Sequence, residues 1–67
     1  MELGKRLAEL MTEKQISQSR LAREVDIDQT TLSKVLLGKN NFSLETAIRV
    51  AKFFNVTLGQ LAGTEEL

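Results

Sequence analysis

The sequence predicts an all-α domain of five short helices. Three observations carry this: apolar residues recur at helical spacing along the chain, polar residues suited to helix N-caps stand at Ser17, Asp28, Ser43 and Thr57, and there is no Pro. A chain of 67 residues is one small domain with little stability to spare. Its 42% hydrophobic content is enough for a compact core, and without Cys neither disulfides nor Cys-based zinc sites can staple it. Helix packing alone must hold it. The domain is expected to run over 1–63, with 64–67 a frayed tail.

Met1 to Lys14 reads as the first helix, with Leu3, Leu7, Leu10 and Met11 on one stripe and charged residues between them. Gly4 lowers helix propensity near the start, where fraying is cheap. Ile16 anchors the short connection into Ser17, whose side chain caps the second helix. Leu21, Ala22 and Val25 form the inner stripe of that helix. Asp26 stands at the corner where the chain must swing, and Asp is among the few residues other than Gly that visit the left-handed region. Ile27 drops between the second and third helices. Asp28 caps the third, which buries Leu32, Val35 and Leu36 and stops at Gly38.

Asn40, Asn41 and Phe42 make a loop with Phe42 turned inward. Ser43 caps a fourth helix whose expected buried stripe is Leu44, Ala47, Ile48, Ala51 and Phe54, with Val50 and Phe53 on a flank and Asn55 as a left-handed stop. Thr57 to Gln60 is a capping box, Thr-x-x-Gln, that opens a fifth helix through Ala62, ended by Gly63.

The stretch Gln18 to Gly38, QSRLAREVDIDQTTLSKVLLG, has the layout of a helix-turn-helix. Gln29, Thr30, Ser33 and Lys34 are what the third helix leaves outward once its apolar residues are buried. A polar outer face is ordinarily just a solvated surface. The motif geometry, however, pushes this helix outward, and Gln can pair with adenine N6 and N7 while Lys can reach guanine O6 and N7.

The segment resembles the Cro and phage-repressor class of helix-turn-helix regulators, the lambda-repressor-like fold. Gln18 at the head of the second helix, small Ala22 at the crossing, Ile27 after the turn, and Leu32 and Val35 beneath the third helix carry the resemblance. It continues in Gly38-Lys39 and in SLETAIRVAKFFNVTLGQL, Ser43 to Leu61, and so covers nearly the whole chain. The resemblance implies a bacterial or phage transcriptional regulator, a repressor, that binds double-stranded DNA sequence-specifically with Asp28 to Leu37 in the major groove. Gln29, Thr30, Ser33 and Lys34 are then the base-contact candidates. Gln18, Lys39, Asn40 and Asn41 are the phosphate candidates, because the family's Gln at this place binds a phosphate oxygen and the others follow the reading helix. Arg20 and Arg23 are expected to pair on the surface, as with Glu24. Leu37 is expected under Phe42, with a thymine methyl as the alternative contact.

The family usually binds a palindromic operator as a dimer with half-sites about 34 to 36 Å apart. A weak homodimer patch is expected from Phe53, Leu58 and Leu61. The sequence departs from the family twice. Asp26 stands where Gly is usual, and Met11 and Leu36 replace an Arg and a Glu that many members join as a buried ion pair. Met11 and Leu36 are therefore expected to touch.

Charge cuts the other way, since 9 basic and 9 acidic residues give a formal net charge of zero. Residues 1–64 carry 9 basic and 7 acidic groups, or +2. The neutral total supports an alternative, a protein-interaction module of the same fold, antitoxin or adaptor, with weak or no DNA binding. No His, no Cys, no phosphate-cradling Gly loop and no paired carboxylates in a cleft argue for binding without chemistry, with no cofactor or metal. No apolar run reaches the length of a membrane span and the N-terminus lacks a signal-peptide layout, so the expected compartment is the cytoplasm.

Overall fold

The computed structural model describes residues 2–67, and these fold into five helices with no strand among them: α1 (Glu2–Lys14), α2 (Gln18–Glu24), α3 (Gln29–Leu36), α4 (Leu44–Phe54) and α5 (Leu58–Ala62). The expected start at Met1 lies outside the described residues. α1 packs on α3 and α5, α2 packs on α3, and α4 packs on α5. Leu7, Leu21, Leu32, Val50 and Leu61, one from each helix, are fully buried and meet in a single core. In a domain this small, truncating one such Leu to Ala costs about 2 to 5 kcal/mol, a large share of a typical folding free energy.

The helix starts follow the sequence signals closely. Ser17, Ser43 and Thr57 each accept a hydrogen bond from the backbone N–H three residues on, and Gln60 returns the bond to the Thr57 N–H, completing the capping box. Asp28 is the exception. It occupies the N-cap position of α3 with extended backbone, but its side chain makes no capping hydrogen bond.

The helix ends share one device. Gln15, Asp26, Gly38, Asn55 and Gly63 all have positive φ, between 54° and 84°. After each of the five, the next N–H reaches back to a carbonyl five residues earlier: Ile16 to Met11, Ile27 to Ala22, Lys39 to Lys34, Val56 to Ala51 and Thr64 to Gly59. This satisfies carbonyls that the last helical turn would leave bare. Ile16, Ile27 and Val56 then pack on the core, so one apolar side chain fixes the exit of each of those three helices. Asp26 and Asn55 were legible as left-handed stops; Gln15 was not, because Gln has no particular preference for that region.

The fourth helix is rotated relative to the sequence expectation. Its buried residues are Thr46, Val50, Ala51 and Phe54, with Ala47 and Phe53 partly covered, while Leu44 and Ile48 face outward, Leu44 at 70% exposure. Val50 belongs to the centre of the core and not to a flank. The Ser43 cap turns its hydroxyl onto the Thr46 N–H and side chain, and Thr46 is drawn inward with it. Three further expectations change. Leu36 is only half-buried. Leu61, proposed for a dimer patch, is 1% exposed and is a core residue. Leu37 does not tuck under Phe42; as the C-cap of α3 it stands 71% exposed, while Phe42 turns inward as expected.

Gly4 has a packing reason that its position in the helix did not suggest. A Cβ there would lie 2.9 Å from the carbonyl oxygens of both Val35 and Leu36, so α1 and the end of α3 approach backbone to side. Met11 is buried, and it lines the same open cleft as Leu36 between these two helices. The segment from Thr64 carries several hydrogen bonds: the Thr64 and Glu65 N–H groups donate to the Gly59 carbonyl, the Arg6 guanidinium donates to the Glu65 carbonyl, and Gln60 Nε2 donates to that of Glu66. No helix among the described residues is long and apolar enough to cross a membrane.

Candidate nucleic-acid interface

The surface of interest is built by α2, the turn at Asp26 and α3. Burial of Leu32 and Val35 fixes the rotation of α3 about its axis. Gln29, Thr30, Lys34 and Leu37 are consequently exposed, and Ser33 is half-exposed between them. Positions 29, 30, 33, 34 and 37 fall on one side of a helix, so amide, hydroxyl, ammonium and apolar groups line a single ridge.

Gln18 opens α2 beside this ridge, and Ser33 Oγ donates to its Oε1 at 2.8 Å. Two candidates assigned to different tasks in the sequence are thus joined. Lys39, Asn40 and Asn41 are all exposed beyond the C-terminal end of α3, while Gln18 lies beside its middle at Ser33. Lys34 and Lys39 have no salt-bridge partner among the described residues, whereas Arg20 sits 3.8 Å from Glu24 as expected for a helical surface pair. Asp26 and Asp28 are exposed near the start of α3 and oppose the lysines electrostatically. Among the described residues no group of His, Cys, Asp or Glu is placed to hold a metal ion.

Arg49 is a contributor that sequence reading left unassigned. Its Nε donates to the Val25 carbonyl oxygen at 3.0 Å and its Nη1 lies 3.2 Å from Glu45, so α4 holds the end of α2 from behind. The only signal in the sequence was the Glu-to-Arg spacing of four, which indicates a surface pair and not a tether.

The family model described as Helix-turn-helix matches residues 7–61, most of the chain. The chain belongs to the helix-turn-helix family. Its fold is that of DNA-binding transcription regulators, all-helical with five helices. The chain is also 36% identical, over all 67 of its residues, to the HTH-type transcriptional activator BcrR of Enterococcus faecalis, and it spans 33% of the length of that relative. Among solved structures it is similar to the restriction-modification controller protein C.AhdI of Aeromonas hydrophila, with a TM-score of 0.81 and 32% identity. That match covers 90% of this chain and 91% of the other.

Proposed function

We propose that the domain binds double-stranded DNA sequence-specifically, with α3 in the major groove. The observation that carries this is the outward ridge of Gln29, Thr30, Ser33 and Lys34 over a helix whose opposite side buries Leu32 and Val35. Gln29 and Thr30, in the first turn of α3, are the base-edge readers, and Lys34 lies one turn deeper, where it reaches a guanine or a phosphate. Gln18, Lys39, Asn40 and Asn41 hold the backbone on either side. The groups offered are hydrogen-bonding amides, hydroxyls and ammoniums, and the role is binding without chemistry.

Binding by one copy is weak, so the operator is palindromic and read by two copies. With Leu61 in the core, Leu58 and the half-exposed Phe53 remain for that contact. The regulatory sense is repression, since a domain seated over a promoter needs nothing beyond occupancy to block it. The relative named as an activator makes activation the competing outcome, and a reporter with the operator placed over or upstream of its promoter separates them.

The test is selection of duplexes from a random pool at low salt, then titration of the winner with wild type and Gln29→Ala. A palindromic winner whose preference relaxes by about 1 to 3 kcal/mol at one base pair supports the proposal. The exposed Leu37 and the zero net charge favour a second reading, a protein-interaction module. A steep fall of DNA affinity with salt decides against it, because counterion release accompanies only the nucleic-acid complex.

A further inference from the structure

We propose that Ser33 is a positioning residue that holds the Gln18 amide in place for a phosphate oxygen, and is not itself a reader of bases. The assignment rests on the DNA-binding function above. A Gln side chain has an accepting end and a donating end, and nothing in its shape distinguishes them. Ser33 Oγ donates to Gln18 Oε1 at 2.8 Å across fifteen residues of sequence. That bond anchors the accepting end. Gln18 Nε2 then has no hydrogen-bond partner among the described residues and remains free to donate.

A phosphate oxygen only accepts. The amide held this way offers it an N–H, whereas the flipped amide would turn a carbonyl oxygen toward a negative group. Packing does not fix the side chain, because Gln18 borders an open cleft of about 560 Å³ with Met11, Ile16 and Leu36 in its wall. The side chain has room to rotate, and the bond to Ser33 holds it against α3. Holding the amide before DNA arrives also lowers the ordering cost of the contact. Ser33 has meanwhile committed its single proton to Gln18.

The experiment compares wild type, Ser33→Ala, Ser33→Thr, Gln18→Ala and the Gln18→Ala/Ser33→Ala double variant on the selected duplex, on its single-base-pair variants, and on duplexes with one phosphate replaced by a neutral methylphosphonate. Ser33→Ala should weaken binding about three- to tenfold, equally at every base pair, as expected for one lost hydrogen bond. The loss should vanish in the Gln18→Ala background and on the one duplex whose neutral phosphate also abolishes the Gln18→Ala effect. Ser33→Thr, which keeps the hydroxyl, should restore most of it. A loss confined to one base pair, or one that persists without Gln18, overturns the assignment in favour of base contact.

A measurement on the free protein keeps the two layers apart. NMR relaxation of the Gln18 side-chain amide should show it ordered in wild type and mobile in Ser33→Ala, and equal mobility in both overturns the positioning role whatever binds DNA. An ordered amide combined with no enriched duplex overturns the phosphate role together with the DNA-binding reading, while leaving the Ser33–Gln18 bond in place.

Discussion

Arg49 Nε donates to the carbonyl oxygen of Val25 at 3.0 Å, tying α4 to the residue that closes α2. Val25 precedes the left-handed Asp26, so the bond acts where the chain leaves one helix and turns toward the next. Glu45 and the Thr46 hydroxyl hold the same guanidinium from the α4 side. The turn of the motif is therefore braced by a helix outside the motif. Arg49→Leu should cost about 1 to 2 kcal/mol of stability, the range for a hydrogen bond to a charged group with partial exposure. Urea unfolding of the variant gives the value, and an unchanged midpoint would show that α2 and α3 hold their angle without the tether.

Gly4→Ala should destabilise, although Ala is the better helix former by about 1 kcal/mol. The added methyl would meet the Val35 and Leu36 carbonyl oxygens at 2.9 Å, and those atoms are backbone that cannot rotate away. Overpacking of this kind costs about 1 to 3 kcal/mol, which exceeds the propensity gain. A rise in melting temperature would mean that α1 can shift freely relative to α3.

Asp26→Gly should act in the opposite direction. Asp26 has φ 59°, a conformation that costs an L-residue about 1 to 2 kcal/mol and that Gly adopts without strain, though Gly gives part of this back in unfolded-chain entropy. A net gain of several tenths of a kcal/mol is expected. Asp26→Asn controls for the charge, and a gain as large in that variant as in Gly would assign the effect to electrostatics.

Asp28→Asn should strengthen DNA binding. The carboxylate stands at the head of α3 and makes no capping hydrogen bond, so its removal breaks no such bond, and Asn is an equally good N-cap residue. Affinity for the selected duplex should rise about two- to fivefold at low ionic strength and converge with wild type as salt is added. Titrations at two salt concentrations, with melting curves to verify stability, are sufficient. A loss of affinity would place the Asp28 carboxylate in a base contact, for example with a cytosine amino group.

The sequence by itself determined most of what a few neighbouring residues can encode, the left-handed Gln15 and the unmade Asp28 cap excepted. Five helices, the caps at Ser17, Ser43 and Thr57, and the left-handed stops at Asp26, Gly38, Asn55 and Gly63 all depend on local backbone geometry. The outward ridge of α3 was legible for the same reason, because Leu32 and Val35 leave only one apolar stripe to bury. On α4 the same logic failed. Leu44, Ala47, Ile48, Val50, Ala51, Phe53 and Phe54 surround much of that helix, so periodicity offers more than one face and contact with the rest of the core chooses among them. Only the tertiary structure decided that Leu44 and Ile48 face out, that Gly4 meets the end of α3, that Arg49 reaches Val25 and that Ser33 holds Gln18. The last three join residues from different helices, and the physical reason is common to them: spacing along one helix fixes directions within it, whereas a contact between helices depends on their mutual rotation and approach, which the packed core sets.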